Sequence, residues 1–191
     1  MTENGTVADI EDTGGDLVES AGTEFYNGII IPGLINCHSH LELSHMRGLI
    51  PPGRGLNEFV NAVRDTRAAS PETVNEAARH ADSKMYEEGV EACGDISNNS
   101  LTISIKRNSS IRYLTFAEVF GLDPSLAVTR MGEAMKLVRE MQAAQLPAQV
   151  TPHSLYSLSE PLSEMVSEQI STGSVISLHF LESDDERKRT S

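Results

Sequence analysis

The chain has 191 residues, 39% hydrophobic, 23% charged and only 5% aromatic, a balance that suits one soluble globular unit. Its 28 acids against 15 bases give a net charge of −13, which argues against nucleic acid and anionic membranes as partners. Two cysteines, Cys37 and Cys93, cannot build a disulfide framework, and neither a signal peptide nor an apolar run of membrane length is present, so a cytoplasmic location is expected.

Along the chain, apolar runs alternate with segments of helical spacing, the pattern of βα units around a parallel sheet. The N-terminal 22 residues are polar and Gly-rich. Residues 34–36 then read as the first buried strand, and 57–68 have helical spacing, with Phe59, Val60 and Val63 on one side. Ser70-Pro71-Glu72 starts a second helix, with Ser as N-cap and Pro in the first turn, which should run to Glu88 and stop at Gly89. Residues 90–95 and 111–119 are the second and third strands. Between them, 101–105 alternates like a strand, although a βα unit wants a short helix there. Residues 125–145 form a helix with an apolar stripe of Met131, Met135, Val138 and Met141, which reads as core. Strand four is 148–151, Ser159-Glu160-Pro161 opens the next helix, and strand five is 175–178. The charged run 184–189 looks like a helix that has just begun.

The chemistry gathers at strand ends. His38 and His40 stand at i and i+2 after the first strand, so on an extended backbone both imidazoles project to one face and can share an ion. Read alone, the pair also fits a strand end with two unrelated histidines. Pro152 forces the backbone out of the ladder after strand four and aims His153 above the sheet; alone, that histidine fits a structural role. After strand five, His179 is followed three residues on by Glu182, a metal ligand and a proton carrier within reach of one water. With His38 and His40 this completes a three-histidine set, enough for a zinc-type catalytic site with an open position.

The blocks Pro32-Gly33-Leu34-Ile35-Asn36-Cys37-His38-Ser39-His40-Leu41-Glu42, Pro152-His153-Ser154-Leu155-Tyr156-Ser157 and His179-Phe180-Leu181-Glu182 resemble the amidohydrolase superfamily, in its chlorohydrolase and nucleoside-type deaminase branch. Leu41-Glu42-Leu43-Ser44 followed by Arg47-Gly48 is similar to aminodeoxyfutalosine deaminases, enzymes of a menaquinone pathway. The resemblance implies that His38, His40 and His179 bind one divalent metal, zinc or alternatively iron. It implies further that Glu182 shuttles the proton and that His153 contacts the substrate. Glu58 falls where related nucleoside deaminases bind ribose hydroxyls, although Phe59 stands where a Trp usually follows, and a solvated helix-surface acid fits equally well. Glu42 is left without a role, and His45 and His80 are assigned to surface or packing.

The implied fold is α/β, a partial TIM-type (β/α)8 barrel of about five βα units, with remnants of a small N-terminal β-sandwich around residues 5–10 and 28–31. Residues 1–31 would hold the partial β domain and lead-in strand, and 32–191 the N-terminal part of the barrel. The family's substrate-polarising histidine after strand six and metal-binding aspartate after strand eight have no counterpart, so the chain reads as a fragment truncated after strand five. The expected activity is hydrolytic deamination of an adenine-type nucleoside or related aminated ring, a small-molecule substrate. The chain alone is expected to be inactive and to self-associate through open sheet edges. The alternatives are a binding or assembly piece, or a chlorohydrolase or cyclic amidase on the same scaffold.

Overall fold

The computed structural model describes residues 6–12, 14, 24, 26–181 and 186. The chain folds as two units, Met1–Pro32 and Gly33–Ser191. In the first unit no described residue lies in a strand or helix, so the expected β-sandwich strands do not form at 6–10 or 28–31. The expected helix start at 184–189 lies outside the described residues, apart from the buried Glu186.

The second unit runs β1 (Leu34–Ser39), a 3-10 helix (Leu41–Met46), α1 (Leu56–Thr66), α2 (Pro71–Glu87), β2 (Val90–Ser97), α3 (Ile103–Asn108), β3 (Arg112–Val119), α4 (Ala127–Ala143), β4 (Ala148–Pro152) and α5 (Glu160–Gln169). The four strands form one parallel sheet in the order β1-β2-β3-β4. Their register pairs Ser39 with Asp95, Ser97 with Ala117 and Glu118 with Thr151, so the C-terminal ends share one edge. Whatever follows each strand therefore meets at that edge.

Local chemistry explains most boundaries. The Ser70 hydroxyl accepts the Thr73 N–H at 3.2 Å with Pro71 at the first helical position, and Gly89, at φ +90°, ends α2. Helix α4 starts two residues later than its spacing predicts, because Asp123 caps a 3-10 turn at Pro124–Leu126 by accepting the Ser125 N–H at 2.9 Å. As the stripe requires, Met131, Val138 and Met141 are buried and Met135 packs against them, in a core shared with Ala117, Val119, Val150, Leu162 and Val166. Side chains alternate across β3: Ala117 and Val119 join that core, so Phe116 and Glu118 face the other way. At Gly94 in β2, an added Cβ would lie 2.8 Å from the Cys37 carbonyl oxygen and 3.0 Å from the Phe116 ring, so the absence of a side chain lets β1 sit close.

Three segments differ from what their sequence patterns alone suggest. Residues 101–105 do not form a strand; a short helix, α3, begins at Ile103, with Ile105 and Lys106 buried. The apolar side of α1 is not covered: the helix has no buried residue, and Phe59 and Val60 are 51% and 44% exposed. Residues 175–178 run extended but form no ladder. Instead the Gln149 amide donates to the Val175 carbonyl, the Thr151 hydroxyl donates to the Ser177 carbonyl, and the Ser177 N–H donates to the Thr151 hydroxyl at 3.2 Å. Side chains of β4 take up backbone groups that a fifth strand would have paired.

Lys106 explains why α3 is a helix. From that element its ammonium reaches Asp95 Oδ2 at 2.6 Å, with both side chains fully buried, and donates to Ser97 Oγ and Thr115 Oγ1 at 3.0 Å each. All three ammonium protons are thus used. Asp95 Oδ1 accepts the Leu41 N–H at 2.7 Å, and Asp95 Oδ2 also accepts from Ser97 Oγ at 3.1 Å. A buried pair broken by removing one partner leaves an uncompensated charge, at a cost of about 3–5 kcal/mol. Lys106→Met is expected to lower unfolding free energy by that amount in urea titrations; a loss of less than about 1 kcal/mol would show that the pair does not hold the fold.

Candidate metal centre

His38 lies in β1 and His40 directly follows it, while His179 arrives on the extended segment beside β4. Its placement is fixed by two bonds to one carbonyl: the His179 N–H donates to His153 O at 2.8 Å, and His179 Nδ1 lies 3.1 Å from the same oxygen. The Nε2 atoms of the three histidines then converge, at 3.2 Å for His38 to His40, 3.2 Å for His38 to His179 and 3.3 Å for His40 to His179. A tetrahedral ion with bonds of about 2.0–2.1 Å has ligand-to-ligand edges of about 3.3 Å, so the spacing fits a zinc-type ion without movement. The tautomer fits as well. With His179 Nδ1 donating to a carbonyl, the neutral ring keeps a lone pair on Nε2. His38 Nδ1 is held 2.9 Å from Ser177 Oγ.

The other expected residues divide. His153 joins the cluster, its ring 4.5 Å from that of His179 and edge-on to Phe120 at 5.8 Å, with a buried Nδ1 that has no hydrogen-bond partner among the described residues. Glu58 does not join it; its side chain is 66% exposed and paired at 3.8 Å with Arg54, which precedes α1. Glu182 lies outside the described residues. His80 is exposed, and His45 is half-buried with neither ring nitrogen bonded. Glu42, left without a role by the sequence, is buried and structural: its Oε2 accepts the Asn98 and Asn99 N–H groups at 3.0 and 3.2 Å. Sequence reasoning missed Glu118, whose ligand atom lies within 4.8 Å of those of His153 and His179. The available signal was an acid near the end of the third strand, on the face opposite Ala117 and Val119.

The model of the amidohydrolase family matches residues 29–191. This chain belongs to the amidohydrolase family. It is 27% identical over 164 residues to an adenosine deaminase of Helicobacter pylori, covering 85% of this chain and 40% of that protein. Among solved structures it is similar to Helicobacter pylori aminofutalosine deaminase in complex with methylthio-coformycin, at TM-score 0.71 and 25% identity over 82% of this chain and 39% of that one. An atrazine chlorohydrolase from Arthrobacter aurescens complexed with zinc shares the fold, at TM-score 0.56 and 18% identity over 72% and 38%. The chain therefore spans about two fifths of the length of these relatives. Its parallel sheet is part of the TIM-type barrel of this amidohydrolase fold. No helix among the described residues is long and apolar enough to cross a membrane.

Two groups near this edge are displaced from their ordinary pKa values. Burial holds His40 down to about 4, with the neighbouring His38, His179, His153 and Arg67 acting the same way, so its imidazole is neutral and available as a ligand at pH 7. Burial pushes Glu42 up to about 7, with Asp95 adding to the rise and the Asn98 and Asn99 N–H groups and Arg67 opposing it. For His40 the linkage runs in one direction. Between its ordinary 6.5 and about 4, the unfolded chain takes up a proton that the folded chain refuses, so metal-free stability falls as pH drops through that window. The unfolding midpoint of the metal-free chain is expected to fall more steeply over that range than that of His40→Gln, in which Glu42 is unchanged. Parallel pH profiles would contradict the assignment.

Proposed function

We propose that this amidohydrolase chain carries the metal-binding part of a hydrolytic deaminase acting on an adenine-type nucleoside or a related aminated ring. The observation that carries the reading is the convergence of the His38, His40 and His179 Nε2 atoms at 3.2–3.3 Å. The deaminases it matches support the reaction class. Residues 32–191 would be the N-terminal part of the barrel.

The donor set suits zinc, being three imidazole nitrogens with a fourth position left open. When bound there, such an ion makes water nucleophilic at neutral pH. The residues of this chain do the rest. His38, His40 and His179 hold the ion, and the carbonyl of His153 keeps His179 in the required tautomer. The His153 ring, with its open nitrogen and the Phe120 edge beside it, contacts the planar substrate. Glu182 takes one proton of the attacking water and delivers it to the ring nitrogen as the new C–O bond forms, and the remaining hydroxyl proton passes to the amino group, which leaves as ammonia as the C–N bond breaks and the carbonyl forms. The second reading, halide removal, draws on the likeness to the chlorohydrolase, which at 18% identity is a likeness of fold alone.

Purified chain is expected to bind one zinc per molecule, and His179→Ala and the pair His38→Ala/His40→Ala to lose it. A wild-type chain that holds no zinc, or that holds it equally well without these histidines, would sink the reading. Glu182→Gln is expected to keep the full zinc content, because the carboxylate carries protons and is not a ligand. Zinc loss in parallel with that substitution would make Glu182 a ligand instead. The 191-residue chain by itself is expected to show no enzymatic ammonia release from adenosine, since His38 is exposed and water has access to the site. On a longer form that is active, release of ammonia as against halide from aminated and chlorinated rings separates the two readings.

A further inference from the structure

We infer that Glu118 is a positioning residue for the metal centre: its carboxylate, fixed by Asn98, orients and polarises the imidazole of His179. The inference rests on the metal-centre reading above. Glu118 lies near the C-terminal end of β3 on the face opposite the α4 core, with a side chain only 5% exposed. One carboxylate oxygen is tied down, since the Asn98 side-chain amide donates to Oε2 at 3.1 Å. Asn98 is itself anchored, because its N–H donates to the buried carboxylate of Glu42, which Arg67 approaches at 3.9 Å. The other oxygen, Oε1, is buried and takes no hydrogen bond among the described residues, yet it lies 3.5 Å from His179 Nδ1.

A buried carboxylate oxygen with an unused lone pair is costly, and native proteins keep few of them without a reason. The geometry supplies one. Glu118 approaches the edge of His179 opposite to Nε2, so it cannot bind the same ion as the three Nε2 atoms. What it can do is act through the ring. The Nδ1–H, already donated to the His153 carbonyl, also feels the negative charge at 3.5 Å, in surroundings where His179 is only 13% exposed and screening is weak. That charge raises the electron density at Nε2 and penalises any rotation that carries Nδ1 away. Carboxylates placed behind metal-binding histidines typically change metal affinity by about 10–100-fold.

The test uses the metal-free 191-residue chain, zinc titrated against a chromophoric chelator at fixed pH, and the visible spectrum of the cobalt-loaded protein. Glu118→Gln keeps the shape and can still accept from Asn98, but removes the charge. It is expected to weaken zinc binding about 10–100-fold and to shift the cobalt bands, while the metal-free unfolding midpoint stays that of wild type. Glu118→Asp, which restores the charge, is expected to recover part of the affinity. Unchanged zinc affinity and cobalt spectrum in Glu118→Gln would overturn the inference and leave the metal centre standing. A loss of affinity matched by a loss of metal-free stability, and not relieved by Glu118→Asp, would also overturn it, since that marks packing alone. A wild-type chain that binds no zinc would overturn both.

Discussion

The histidine-bearing edge of this molecule depends on an ion pair that water never reaches. Lys106 and Asp95 meet at 2.6 Å with no exposed surface on either side chain, and together their bonds join α3, β2, β3 and the turn after β1. Lys106 comes from α3, Ser97 from β2 and Thr115 from β3, and the second oxygen of Asp95 takes the Leu41 N–H. Leu41 is the residue after His40. The turn that follows His38 and carries His40 is therefore pinned to the sheet by a carboxylate on β2 whose charge is neutralised from the next element, α3. A neutral acceptor at Asp95 would leave the ammonium buried and unpaired, so the interaction works only as a whole.

A second layer of polar contacts lies at the C-terminal edge of the sheet. Glu42 closes the turn after β2 by accepting two backbone N–H groups, and Asn98, in that turn, reaches across to Glu118 on β3. Beyond Glu118 stand His179 and His153. Polar groups from the loops after β1, β2 and β4 are thus joined through β3. A parallel sheet favours this arrangement, since all its strands deliver their ends to the same side.

Those parts of the fold that rest on local chemistry were readable from the sequence. The Ser70 cap, the Gly89 stop and the methionine stripe of α4 each carry a short-range signal, and each forms as read. The histidine pair was readable too, because i and i+2 on a strand share a face whatever surrounds them. His179 was found through its neighbourhood in sequence, and its convergence with His38 and His40 follows from sheet order rather than from any local pattern. Less readable were residues whose role is set across the fold. Ile103 and Ile105 alternate with polar residues like a strand, and only the distant Asp95 explains why Lys106 must turn inward on a helix. Glu118 reads as one acid among 28 until the strand face it occupies is known. Residues 175–178 have strand composition, but the side chains of Gln149 and Thr151 claim their backbone groups.

That last feature bears on how tightly an ion is held. His38 and His40 stand on a sheet locked by a buried charge, whereas His179 stands on a segment fastened by a few side-chain tethers and the His153 carbonyl. Val175, in that segment, leaves 64% of its surface in water, so little apolar burial holds the segment down. For an ion held by the three histidines, two ligands would be preorganised and the third recruited. Part of the free energy of ligation would go into quieting the recruited segment, and binding would be weaker by that amount than the ligand geometry alone would give. Conversely, an ion in place acts as a clasp, and amide protons of the segment, His179 included, exchange more slowly when it is bound than when it is stripped away.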